Sequence, residues 1–189
     1  MHIFDTSLHK WSSKPTVNDL LYFYKHLDIN YKYLERARGV MLKGINPLLN
    51  ADVLQVLRAM GHGDDLIISD ANFPSDSLAR QTITGKLLRI EAGAAEVVHA
   101  VLSLLPLDTF VDDAAARMEV AGEPETILPI MHEVQAEVNA VGGPTRMHSL
   151  DRYAFYDRSK KAYAIIQTGE PRFYGCFAFR KGVIGPNEE

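Results

Sequence analysis

A short apolar run, Leu66-Ile67-Ile68, is closed by Asp65 before it and Ser69-Asp70 after it, and it directly follows a stretch patterned as a helix. That pairing constrains the fold more than any other feature of the chain. Asn50 can cap a helix whose buried face is Val53, Val56, Leu57 and Met60, with Gly61 suited to the left-handed position after its end. The apolar run reads as a buried strand, and Pro74 closes the unit. The alternation then continues. Helices are expected over 94–105 (Val97, Val98, Val101, Leu104, Leu105), over 126–139 (Ile127, Ile130, Met131, Val134, Val138) and over 152–161, the second with Pro129 tolerable only in its first turn. Strands are expected over 117–120, 162–168 and 174–180, the last two joined through Gly169-Glu170-Pro171. Helix and strand signals in alternation specify an α/β layered domain. No internal repeat or low-complexity tract interrupts it.

The chain has 189 residues, enough for one sizeable core and too few for two comfortable domains. Its richest apolar stretch, from Ala92 to Leu107, is broken by Glu96 and His99. A bilayer-crossing helix needs ~20 apolar residues, so a membrane span is not expected. Asp5 and His9 fall where the apolar block of a secretory signal belongs, which makes a reducing cytoplasm the expected compartment. The single cysteine, Cys176, makes no internal disulfide, and no Cys/His spacing resembles a metal site. A net charge of −4 without a basic stripe argues against nucleic acid as a partner. Residues 1–40 differ in character, with a net charge of +2 against −6 for the remainder and seven of the 17 aromatics. Thr16 and Asp19 can form a capping box ahead of a helical stripe, Val17, Leu20, Leu21, Tyr24 and Leu27. The expected organisation is an N-terminal helical extension over 1–40 and one domain over 41–189.

Three clusters can carry chemistry. Met60-Gly61-His62-Gly63-Asp64 leaves an uncrowded imidazole in a turn that glycines make easy, and Ser69-Asp70-Ala71-Asn72-Phe73-Pro74 places a carboxylate and an amide at the far end of the strand, where α/β proteins build sites. The same residues also fit a plain connection and a turn. A strand rises ~3.3 Å per residue, so His62 and Asp70 can stand more than ~20 Å apart. They share one small ligand only if the His62 turn folds back or a neighbouring subunit supplies one of them. In the second cluster, Arg152 and Tyr156 are i and i+4 on one helical face, pairing a fork of donors with a phenol that keeps its proton at neutral pH; a partly buried aromatic face with a solvated arginine is the alternative. In the third, Tyr174-Gly175-Cys176, the glycine permits close approach of a ligand or of another backbone, or marks a bulge. No phosphate-binding glycine loop or nucleophile elbow occurs.

In this order and spacing the pieces resemble the sugar mutarotase family that includes L-fucose mutarotase and D-ribose pyranase. The resemblance runs from about Met41 to Gly182. It rests on Met41-Leu42-Lys43-Gly44-Ile45-Asn46-Pro47-Leu48-Leu49, the His62 and Asp70 motifs, Arg152-Tyr153-Ala154-Phe155-Tyr156, Thr168-Gly169-Glu170 and Tyr174-Gly175-Cys176. It implies a three-layer α/β/α fold and ring-like homo-oligomers with sites at subunit boundaries. It further implies that His62 and Tyr156 are catalytic and that Asp70, Arg152, Tyr174, Gly175 and Cys176 bind the sugar. Cys176 stands where the family usually has asparagine. Arg152 and Phe155-Tyr156-Asp157-Arg158 are similar to the fucose branch.

The expected activity is therefore interconversion of the α and β anomers of a free monosaccharide, most readily L-fucose, with no cofactor and no metal. The alternatives are a ribose pyranase-type activity, a non-catalytic sugar-binding or transport-accessory module, and a metal-dependent hydrolase using His62, Asp64 and Asp70.

Overall fold

The computed structural model describes residues 41–186. The helical stripe expected from Val17 to Leu27, with the extension it belongs to, lies outside them. Residues 48–186 lie in one compact unit, which carries every element described below.

Asn50 caps α1 (Ala51–Ala59), its Oδ1 accepting the Val53 N–H at 3.1 Å, and Val53, Val56 and Leu57 turn inward as the spacing requires. Beyond Met60, whose backbone is extended, it is Gly63 (φ 86°) and not Gly61 that adopts the left-handed conformation. Gly61 instead gives its N–H to the Asp64 carboxylate at 2.7 Å, so a side chain closes the turn and the left-handed residue falls two positions later than expected. β1 (Asp65–Ser69) is central, parallel to β5 on one side and antiparallel to β6 on the other, with Leu66, Ile67 and Ile68 fully buried.

The remaining elements are α2 (Ser75–Ala79), β2 (Leu87–Ile90), α3 (Ala94–Leu102), β3 (Ala115–Met118), α4 (Pro129–Ala140), β4 (His148–Leu150), α5 (Arg152–Lys161), β5 (Ala164–Thr168) and β6 (Phe177–Arg180). Among the described residues the strands form one six-stranded sheet in the order β2-β5-β1-β6-β3-β4. Register fixes β6 as the one strand that runs against the other five. Helices α2 and α5 pack together on one face and α3 and α4 pair on the other, giving the expected α/β/α layering.

Several boundaries differ from the sequence expectation. α4 starts at Pro129 and not at residue 126, because a residue before proline is pushed out of the α region and Leu128 is extended. α3 ends at Leu102, three residues before the last expected position, although Leu105 is still buried. β3 begins two residues early, at Ala115: its alanines are poor strand formers, and pairing with β6 decides their state. Residues 174–176 are loop, not strand, because Tyr174 has a φ of 61°. α2, β2 and β4 were not expected; each has five residues or fewer, too short to display a period.

Candidate active site

The direction of the strands sets the geometry. The carboxyl ends of β1, β3, β4 and β5 and the start of β6 all lie along one edge of the sheet, the edge where ligands collect in open α/β sheets. The loops leaving that edge enclose a cavity of about 300 Å³ lined by Asp70, Asn72, Phe73, Met118, Arg152, Tyr156, Phe173, Tyr174 and Cys176. This volume lies at the lower end of the roughly 300–1,000 Å³ typical of small-molecule sites.

Asp70 follows the last residue of β1 and is buried. Its Oδ1 accepts the N–H groups of Asn72 and Phe73, each at 2.9 Å, the local turn that its sequence allowed. Its Oδ2 accepts the Gly175 N–H at 3.2 Å and the Cys176 thiol at 3.3 Å. One carboxylate thus ties the loop after β1 to the loop before β6 while lining the cavity. Burial, reinforced by the charge of Asp70, pushes the Cys176 thiol well up, so it stays a neutral donor.

α5 presents the other wall. Asp151 caps it, Oδ1 accepting from the Tyr153 and Ala154 N–H groups at 2.8 and 3.0 Å. Arg152 in the first turn and Tyr156 one turn on both line the cavity, as the i, i+4 spacing requires. Arg152 is exposed, and its guanidinium has no partner among the described residues. The Tyr156 ring stands edge-on to Phe73, centroids 5.3 Å apart, and Phe73 in turn meets Phe155 at 5.7 Å, so the aromatic wall is locked from beneath.

The third wall is the loop 171–176. Tyr174 is the one non-glycine among the described residues with a positive φ, a conformation of the kind that proteins hold where the surroundings demand it. Its hydroxyl oxygen accepts the Ala121 N–H at 3.3 Å. Gly175 is required by contact and not by its dihedral: a Cβ there would stand 2.9 Å from Cγ of Glu170 and 3.3 Å from Cβ of Asp70. Close approach was the property expected of this glycine, and the approaching groups are two acidic side chains.

Glu170 was quoted in a motif but given no role by the sequence, and it underpins this loop. It is fully buried, accepts the Ala94 N–H at 3.3 Å, and takes both the backbone N–H and the guanidinium of Arg172. The Arg172 hydrogen bonds hold its carboxyl below the usual range despite burial. Arg172 also grips Glu133 on α4 through two bonds of 2.7 and 2.9 Å. A charged residue placed just before Pro171 at a strand exit was the available signal. Asn72 lines the cavity beside Asp70, as the motif allowed, whereas Met118 and Phe173 were missed, the first because an apolar strand residue carries no local mark of a cavity.

His62 lies elsewhere. It precedes β1, at the opposite edge of the sheet, and its turn does not fold back toward the cavity: Nε2 pairs with Asp108 Oδ2 at 3.1 Å, and the ring meets Phe110 at 5.7 Å. Its side chain is 47% exposed while that of Asp108 is 3% exposed. The structure therefore brings together Asp70, Arg152, Tyr156, Tyr174, Gly175 and Cys176, and within one chain it leaves His62 apart.

The fold and cavity define an α/β protein built to hold a small polar ligand at the carboxyl edge of its sheet. The family described as the RbsD / FucU transport protein family matches residues 43–184, and this chain belongs to it. The fucose mutarotase of Danio rerio is 39% identical over 158 residues, covering 79% of this chain and 99% of that protein. Among solved structures, protein Atu2016 is 55% identical with a TM-score of 0.75, covering 78% of this chain and 99% of its own. The fucose mutarotase from Streptococcus pneumoniae, in complex with L-fucose, is 36% identical with a TM-score of 0.69, covering 76% of this chain and all of its own.

Proposed function

We propose that this protein interconverts the α and β anomers of a free monosaccharide, L-fucose before others, by acid/base-assisted opening and reclosure of the ring and without a cofactor. The supporting observation is the cavity that gathers a carboxylate, a guanidinium without a partner among the described residues, and two phenols. It belongs to a chain similar along most of its length to proteins named fucose mutarotase. In this reading Asp70 and Arg152 hold sugar hydroxyls by charge-assisted hydrogen bonds, Tyr174, Gly175 and Cys176 bound the ring, and Tyr156 and His62 carry protons, each positioned carrier contributing ~10²- to 10⁴-fold. The buried lone thiol of Cys176 suits a reducing cytoplasm.

His62 reaches a cavity only if a second copy delivers it. Exposed Phe110 meets the His62 ring, with exposed Val111 next to it in sequence, and exposed Phe173 lines the cavity, with exposed Tyr153 following the lining residue Arg152 in sequence. Apolar groups at both edges suit a head-to-tail assembly in which each cavity is completed by its neighbour. Mixing decides this: His62→Ala and Tyr156→Phe each lower anomer exchange, read by saturation-transfer NMR, at least ten-fold. Co-assembled at random in equal amounts, the two variants regain about a quarter of wild-type exchange, because one boundary in four then pairs an intact Tyr156 with an intact His62. No recovery in verified mixed oligomers refutes the shared site, and wild-type exchange in both single variants refutes the assignment.

The same reading makes residues 41–189 the sugar-handling domain and 1–40 an extension outside it. The family match begins at residue 43. A chain begun at Met41 is expected to retain wild-type exchange, and an inactive but folded and assembled product would show that the extension enters the site.

A further inference from the structure

The ring oxygen of a pyranose differs from all its hydroxyls in carrying no hydrogen, so it can only accept. A protein group dedicated to it must donate, and a hydroxyl does so reliably when its own oxygen is already engaged as an acceptor. Tyr174 is placed in this way: it lines the cavity, and its oxygen takes the Ala121 N–H at 3.3 Å, which leaves its hydrogen for the ligand. The Tyr156 hydroxyl has no partner among the described residues and remains able to accept or to donate.

Resting on the proposed anomer exchange, we infer that Tyr174 gives its phenolic proton to the ring oxygen as the ring opens and takes it back on reclosure, while Tyr156 and His62 serve the anomeric oxygen. On opening, the base removes the proton of the anomeric hydroxyl. The freed pair on that oxygen becomes the second bond of C1=O, the C1–ring-oxygen pair passes to the ring oxygen, and that oxygen bonds the Tyr174 proton. The products are the open-chain aldehyde, a phenolate and the protonated base, with net charge unchanged. Rotation about C1–C2 then presents the other face of the carbonyl, and reclosure returns each proton. The anomeric oxygen ends in a different place from where it began, whereas the ring oxygen returns to nearly the same one. Two carriers at the first and a single fixed one at the second match that geometry.

The Ala121 N–H is placed to stabilise the phenolate, since a hydrogen bond to a developing anion strengthens as the charge forms. Its turn is rigid. The Glu123 N–H bonds the Val120 carbonyl at 2.9 Å, and Gly122 has a φ of 79° while Ala121 has a negative one, the arrangement of a type II turn. Arg117, buried in β3, donates to the Pro124 carbonyl at 2.8 Å just beyond it.

A type II turn favours proline at its second position, so Ala121→Pro keeps the turn and removes the donor, and the proline Cδ, taking the place of the hydrogen, pushes the Tyr174 hydroxyl off that position. Anomer exchange of L-fucose by the full-length protein is measured by saturation-transfer NMR over a concentration series. Tyr174→Phe is expected to lower kcat about 100-fold with KM within five-fold, and Ala121→Pro to lower kcat about ten-fold with KM unchanged. A kcat loss under five-fold in a folded Tyr174→Phe protein overturns the assignment and leaves Tyr174 as a binding contact. If that variant does not fold, Ala121→Pro decides alone, and an unaltered kcat overturns it. Wild-type protein that exchanges no anomers removes the proposed function and this role with it, whereas active wild type beside an active Tyr174→Phe removes this role only.

Discussion

At the edge of the sheet where β1 begins, Arg158 and Arg180 each bond both Asp65 and Asp113, and Arg158 grips Asp65 through two bonds of 2.9 and 2.7 Å. At the edge where β1 ends, Arg152 has no carboxylate partner among the described residues, and Tyr174 is kept in a conformation that side chains rarely adopt. α5 spans both environments, with Arg152 and Tyr156 in its first half and Arg158 in its second. One short helix therefore supplies a saturated ion cluster that fastens it to the sheet and an unsaturated pair left for a ligand. The contrast separates charges that stabilise from charges that wait: a partnered arginine has little left to offer a sugar, and an unpartnered one contributes little to folding.

The largest expected effect comes from breaking the saturated edge. Asp65→Ala removes an acceptor from two arginines whose side chains are 11% and 24% exposed. Stranding a partly buried charge in this way is expected to cost ~3 kcal/mol, below the upper end of the range because Asp113 remains. Urea unfolding measures it. A loss under ~1 kcal/mol would place this cluster with ordinary surface ion pairs and dissolve the contrast between the edges.

The two edges also differed in how far the sequence revealed them. Elements with long periods or strong caps were legible: α1 through Asn50, β1 through its apolar run, and α5 to the residue, because Asp151 and the Arg152-to-Tyr156 spacing are local signals. β2 and β4, four and three residues long at the margins of the sheet, take their state from partners distant in the chain, and no window of sequence contains those partners. Within the site, Asp70, Arg152, Tyr156 and the 174–176 tripeptide were legible, the last through its glycine. Glu170 was not, since its contact with Ala94 and the tie of Arg172 to Glu133 arise only in three dimensions, although Arg172 itself lies two residues on. The position of His62 across the sheet was legible as a difficulty: the length of β1 allowed a shared ligand within one chain only through a turn folded back along the strand, and the fold provides no such turn.

Glu170 offers an intermediate test, because it is a saturated acid at the unsaturated edge. Its folded value lies below the ordinary 4.5, so its contribution to stability is complete above that pH and is lost as pH falls through the folded value. Glu170→Gln should lower Tm near neutrality, and the gap from wild type should narrow as pH drops below about 4.5. Thermal unfolding across a pH series reads this directly. A gap that stays constant or widens on acidification would mean that the carboxylate is not what holds the loop carrying Tyr174.

The smallest expected change in stability comes from Arg152→His. The side chain is exposed and has no partner among the described residues, so the substitution should shift stability by less than ~0.5 kcal/mol. Its effect belongs instead to ligand choice. A guanidinium offers five donors in a planar fork and an imidazole at most two, so hydroxyls that the fork spans are released. Exchange of L-fucose is expected to fall about ten-fold, equivalent to one bond of ~1.4 kcal/mol, while exchange of D-ribose falls less or rises. Parallel NMR exchange assays on the two sugars, with urea unfolding of the same samples, separate the outcomes. Equal losses toward both sugars would make Arg152 a general contact with no part in selecting between them. A stability loss comparable to that of Asp65→Ala would show that Arg152 is as firmly built into the fold as Arg158, and the difference between the edges would then lie in the strain at Tyr174 alone.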